Sequence, residues 1–118
     1  MKIGILGCID YPNLKTVQNF ISYLQLTHRP FGNMDDEYEE PIEILSRLHN
    51  HLDTTAAIEA AKVNFKVRHM DSMDALIEES NEIYVFLSGN KCKTSKYINK
   101  ILSARKNFRV IFSEERTH

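Results

Sequence analysis

Cysteine is scarce in this chain: Cys8 and Cys92 are the only two among 118 residues. So few cannot make a disulfide framework. With no export signal, both thiols are expected to be reduced in a cytoplasmic protein. No apolar run reaches the roughly 18 residues a transmembrane helix needs. The first residues are strand-like and carry no basic leader or cleavage site, so a signal peptide is not expected. Neither sign of charge dominates. Fifteen Lys and Arg against sixteen Asp and Glu leave a formal net charge of −1, which argues against nonspecific nucleic-acid binding by bulk charge. Internal repeats and low-complexity segments are absent.

What remains is an ordinary globular composition, 42% hydrophobic and 26% charged. The length suits a single domain over residues 1–118 with one packed core. Lys2 to Gly7 is apolar at nearly every position, as in a strand buried on both faces of a parallel sheet. From Asn13, a plausible N-cap, the apolar residues Leu14, Val17, Phe20, Ile21 and Leu24 follow helical spacing. Pro30, Gly32 and Asn33 then break the pattern. With Asp35, Asp36, Glu37, Glu39 and Glu40 they predict an acidic loop insertion over residues 29–41.

Residues 41–45 predict a second strand. Asp53 is a good N-cap for an alanine-rich helix that can sit close to a sheet. Phe65 to His69 alternates as a strand near an edge does. Asp71 can cap a helix carrying Met73, Leu76 and Ile77 on one face. Ile83 to Leu87 is the strongest strand signal in the chain. A helix stripe of Tyr97, Ile98, Ile101 and Leu102 comes next, then a last strand over residues 108–112. Such alternation predicts an α/β domain, with a mostly parallel five-stranded sheet and helices on both faces.

In open sheets of this kind, ligands bind beyond the carboxyl ends of the strands, where strand order reverses. If the first strand neighbours the Ile83–Leu87 strand, two loops meet there. One holds Gly7, Cys8 and Asp10. The other holds Gly89, Lys91, Cys92, Lys93, Thr94 and Ser95. The helix start at Asp53, Thr54 and Thr55 forms a third wall. Between Ile83 and Ser113 no acidic residue occurs, whereas Lys91, Lys93, Lys96, Lys100, Arg105, Lys106 and Arg109 do. A helix beginning at Thr94 or Ser95 would turn free amides toward a phosphate. The alternative is a solvated basic helix face, balanced by the acidic loop.

Asp10 reads either as a contact to a ribose or base or as a cap for the turn before Pro12. The pair His49 and His51 invites a metal reading, but residues two apart share a face only on a strand. No third ligand is near in sequence, so no metal site is expected. Cys8 and Cys92 both follow strands that would be adjacent, which could place the two sulfurs near each other. Neither has a sequence signal for an activated thiolate. Glu59 and Glu78 are expected to face solvent.

Three motifs together resemble the SLOG superfamily, the Rossmann-like domains shared by DNA-processing and lonely-guy proteins, and within it the small YspA-type proteins. Such proteins open with a strand and Gly-Ser-Arg-Asp-Tyr, and here Gly7-Cys8-Ile9-Asp10-Tyr11 stands. They continue with a glycine-rich loop and a helix starting Asp-Thr-Ala-Ala, here Asp53-Thr54-Thr55-Ala56-Ala57. They end with a strand, a Gly-Thr turn, a helix and a strand, matched by residues 86–94 and by the helix and strand beyond them. The likeness runs from Lys2 to Phe112, the acidic loop excepted. It implies a Rossmann-like three-layer α/β/α domain, a nucleotide or nucleotide-derived ligand, and self-association.

Departures are equally specific. Arg47, Leu48, His49, Asn50 and His51 occupy the glycine loop, Ile9 replaces the early arginine, and Lys93 replaces the glycine before Thr94. Bulky residues narrow a site in which backbone amides would approach phosphate. The expectation is therefore a non-catalytic binding domain without a cofactor. Its ligand contacts would come from Gly7, Cys8, Asp10, Asp53, Thr54, Gly89, Lys91, Lys93, Thr94 and Ser95. The alternative is a protein-interaction module, an inhibitor or adaptor of phage or mobile-element type, using the acidic loop. A nucleotide glycosidase or deoxyribosyltransferase would need a carboxylate near the sugar, and only Asp10 and Asp53 qualify.

Overall fold

Five strands and four helices alternate along the chain in a computed structural model that describes residues 1–8, 11, 14–28, 42–48, 50–87 and 96–112. The elements are β1 (Lys2–Gly7), α1 (Leu14–His28), β2 (Glu43–Ser46), α2 (His51–Lys62), β3 (Lys66–His69), α3 (Met73–Glu79), β4 (Glu82–Leu87), α4 (Tyr97–Ser103) and β5 (Asn107–Phe112). The sheet order is β3-β2-β1-β4-β5, and every pairing is parallel. The expected fold class therefore holds. It is a Rossmann-like three-layer α/β/α arrangement, and the sheet is parallel throughout.

Strand pleating sorts the apolar residues into two cores. Ile3, Ile5, Ile44 and Phe86 point to one face, where Val17, Phe20, Ile21 and Leu24 of α1 meet Leu52, Ala56 and Ala60 of α2. Leu6, Leu45, Ile83, Val85 and Leu87 point to the other, under Leu76 and Ile77 of α3 and Ile101 of α4. Central strands buried on both sides explain the near-continuous apolar runs of β1 and β4. The alanines of α2 bring that helix close to the sheet, with Ala56 and Ala60 fully buried.

Helix ends depart from expectation at two places. Asn50, not Asp53, caps α2, its side chain accepting from the Asp53 amide at 2.8 Å. Ser72, not Asp71, caps α3, accepting from Ala75 N–H at 3.0 Å. In both cases the better-placed residue lies in extended conformation immediately before the helix, which a cap requires. Leu102 is not on the buried stripe of α4; it is 55% exposed. Glu59 is half-buried rather than free in solvent, and receives Lys62 Nζ at 3.3 Å. The Asn13 cap and the acidic loop lie outside the described residues.

Alpha2 closes with a left-handed Asn64 (φ 68°), which lets Phe65 N–H reach Ala60 O and Asn64 N–H reach Ala61 O, each at 3.0 Å. The same pair of bonds ends α4 around Arg105 (φ 58°). At the amino ends of the strands, Glu79 accepts from Arg68 at 2.9 Å and from Lys2 at 3.3 Å. Those two hydrogen bonds, Arg68 first, hold its carboxyl below the usual carboxylate range.

Candidate functional site

Beta1 and β4 lie side by side with Gly7 opposite Phe86. Alpha1 follows β1 onto one face and α4 follows β4 onto the other. The strand order thus reverses between β1 and β4, and the place where a ligand is expected in such a sheet lies beyond their carboxyl ends. The described residues here are Gly7, Cys8, Tyr11, Ser46, Asn50 and Asp53.

Cys8 is fully buried and continues the ladder, donating its N–H to Phe86 O at 3.0 Å. Tyr11 turns back over the same strand. Its N–H meets Cys8 O at 3.2 Å, and its ring stands edge-on to Phe86 with centroids 5.5 Å apart. Cys8 is disulfide-bonded, contrary to the reduced thiol expected from the sequence.

The wall from β2 and α2 is built around Asn50. Its amide Nδ2 donates to Gly7 O at 3.1 Å while its Oδ1 caps α2. One side chain therefore ties the end of β1 to the start of α2. Ser46, fully buried at the end of β2, accepts from Leu48 N–H at 3.1 Å and donates to Asp53 O at 3.4 Å. Arg47 Nη1 donates to Met70 O at 2.7 Å just past β3. These bonds fix the loop that lacks glycine. Its cost is visible in the backbone, where Leu48 adopts φ 56°. A left-handed Leu is strained by about 1–2 kcal/mol.

Gly7 ends β1, and Leu52 fills the space beside its Cα. A Cβ at position 7 would collide with the Leu52 methyl groups. The glycine thus admits a neighbouring side chain. Asp53 lies in the first turn of α2 and is 4% exposed. Its side chain thus already occupies the amino end of α2. Thr54 is exposed one residue on, with its amide bonded to Asn50 O at 3.0 Å. Asp10, Gly89, Lys91, Lys93, Thr94 and Ser95 lie outside the described residues, as do Cys92 and His49.

The basic segment divides. Lys100 pairs with Asp74 at 3.0 Å, and Lys106 Nζ donates to Glu78 O at 2.8 Å, so both turn toward α3. Lys96 lies over the Tyr97 ring, 5.5 Å from its centroid. An open groove of about 620 Å³ separates α3 from α4 at this place, away from the carboxyl ends of the strands. Among the described residues, no group of three or more His, Cys, Asp or Glu could hold a metal ion.

Asn50 is the site residue that sequence reasoning missed. The signal was present as Asn50-His51-Leu52-Asp53, a cap residue with an acidic residue three positions later. The flanking histidines and Asp53, itself a good cap type, obscured it. No helix among the described residues is long and apolar enough to cross a membrane. Comparison with protein-family models, characterised proteins and solved structures gives no match for this chain.

Proposed function

We propose that this domain binds a nucleotide or nucleotide-derived anion at the β1–β4 switch point, without catalysing a reaction on it. The observation that carries this reading is the reversal of strand order between β1 and β4, the position at which open parallel sheets bind ligands. The buried Asp53 already occupies the start of α2. The phosphate is therefore assigned to Lys91, Lys93, Thr94 and Ser95 after β4. Gly7 and Gly89 form the floor above the buried Cys8, Asp10 contacts the sugar or base, and Asp53 and Thr54 form the opposite wall. A self-associating SLOG-type domain of the cytoplasm is the setting this reading implies.

Native mass spectrometry of the purified chain tests it, first as isolated and then with nucleotides and ADP-ribose derivatives. The expected result is a stoichiometric adduct that Lys93→Glu abolishes while the far-ultraviolet circular dichroism is unchanged. Equal binding by Lys93→Glu would overturn the phosphate assignment.

One observation favours a second reading. Leu52 fills the space at Gly7, and bulky residues stand where the resembling family has its glycine loop, so backbone there is closed to a phosphate on the α2 side. A protein-interaction module of inhibitor or adaptor type would tolerate that loss, with the acidic loop over residues 29–41 as its contact surface. Deleting residues 35–40 then abolishes partner capture and leaves the fold intact. Capture that survives the deletion counts against this reading.

A further inference from the structure

We propose that β5 is a dimerisation surface, on which two copies of this chain pair antiparallel about a two-fold axis and join their sheets into one. The two edges of the sheet are built differently. Beta3, at one edge, is four residues long, and Lys66, Arg68 and His69 make it basic. Shortness and charge are the usual protection of an exposed edge. Beta5, at the other edge, has six residues, no proline, and Arg109 as its only charge. Its pairing with β4 runs from Asn107 to Phe112 without a bulge. Among the described residues, no backbone group bonds to its outer side. Phe112 at its end is 54% exposed. Such a strand is open to a further strand.

The sequence of β5 is complementary to itself. Centred on Val110, an antiparallel copy sets Phe108 against the partner's Phe112, Arg109 against the partner's Ile111, and Val110 against the partner's Val110. Opposed residues are then both even-numbered or both odd-numbered. Backbone groups that face outward on one strand therefore meet those that face outward on the other, for about four to six hydrogen bonds. Side chains keep their faces. Phe108 and Val110 lie against the core beneath α3 and α4, and strand pleating puts Phe112 on the same side. Two Phe108–Phe112 pairs thus extend that core across the axis, where cross-strand aromatic pairs stabilise a sheet. Ile111 lies against the other core, and the arginine it meets there has no second arginine directly opposite. The flanks specify the direction. Arg105 and Lys106 precede the strand, and Glu114 and Glu115 follow it. An antiparallel copy brings the basic end of each strand to the acidic end of the other, whereas a parallel copy sets like charge against like. Both glutamates lie outside the described residues, and the pairing over residues 108–112 does not require them. A two-fold contact of this kind closes on itself and stops at a dimer.

This assignment names a surface for the self-association that the SLOG-type reading implies, but it rests on the edge strand and not on the ligand site. Sedimentation of the full-length chain from low micromolar to near-millimolar concentration tests it. A reversible monomer–dimer equilibrium is expected. Ile111→Lys sets a like charge against the partner's Arg109 at two places in the dimer, and should raise the dissociation constant about tenfold or more. Ile111→Glu faces the same arginine with opposite charge, and should dimerise about tenfold or more tightly than Ile111→Lys. Far-ultraviolet circular dichroism checks that each variant is folded. If the Ile111 variants fold poorly, Phe112→Lys at its exposed position removes both aromatic pairs and should weaken the dimer alike. A monomer at every concentration would overturn the proposal, and nucleotide binding by that monomer would leave the ligand reading standing. A dimer that Ile111→Lys and Ile111→Glu affect equally, or that Phe112→Lys leaves unchanged, would place the contact on another face and overturn it too. So would a monomer that takes up an unrelated extended peptide along β5.

Discussion

The Asn50 side chain donates to the carbonyl oxygen of Gly7 at 3.1 Å while its own oxygen caps α2. Two elements separated by α1 and β2 in sequence are thereby joined through one amide group. Asn50→Ala removes both bonds and leaves Asp53 N–H without its cap. A loss of about 1–3 kcal/mol in unfolding free energy is expected by urea denaturation. Asn50→Asp keeps an acceptor for the cap but has no donor for Gly7. Its loss should fall between those of the parent and the alanine variant. Equal stability of all three proteins would refute the bridging role.

Gly7 and Leu52 should be energetically coupled. Gly7→Ala places a methyl group into the Leu52 side chain, and overpacking of this kind costs about 1–3 kcal/mol. Leu52→Ala alone opens a cavity at a fully buried site, at about 2–5 kcal/mol. The double variant should lose less than the sum of the two, because each change relieves the other. Strict additivity in a double-mutant cycle would show that the two side chains do not compete for one space.

Leu48→Gly should stabilise the protein. The left-handed backbone at φ 56° strains leucine and suits glycine. After the extra entropy glycine loses on folding, a gain of about 0.5–1 kcal/mol remains. Arg105→Gly should behave alike at the end of α4, where φ is 58°. At Asn64, a residue type that tolerates this conformation, replacement by glycine should change stability by only about a few tenths of a kcal/mol.

Stability should fall in strong alkali through Tyr84. Partial burial, and then the hydrogen bond to Glu82 at 3.0 Å, raise its hydroxyl to about 12 from 10.0. The folded state therefore holds the proton more tightly than the unfolded chain. Its contribution is complete below about pH 10 and is lost as pH rises toward 12. Tyr84→Phe should flatten that part of the stability profile. Absorbance titration of the phenolate should show one late-ionising tyrosine that the variant lacks.

Acid should act at the other end of the strands. Glu79 is held below its ordinary value of 4.5 by Arg68 and Lys2. Its contribution is present above that value and declines as pH falls below it. Glu79→Gln should reduce the acid slope slightly, since the group is open to solvent and screened. A slope unchanged in low salt would argue that the ion pairs add nothing.

Much of the architecture was readable from residue pattern alone. The apolar runs of β1 and β4 announced central parallel strands, and the stripe of Val17, Phe20, Ile21 and Leu24 announced α1. These signals are local, because strand and helix periods are set within a few residues and burial requires the matching apolar spacing. The adjacency of β1 and β4 was only conditional in the sequence, and pairing in the sheet decided it. So too for the site. Nothing local distinguishes a glycine that admits a phosphate from one that admits Leu52, since the difference lies in an element more than forty residues away. Asn50 shows both sides of this division. Its capping of α2 left a local signal in the spacing to Asp53, although Asp53, itself a cap type, was the residue read as the cap. Its bond to Gly7 exists only because the tertiary structure brings the start of α2 to the end of β1.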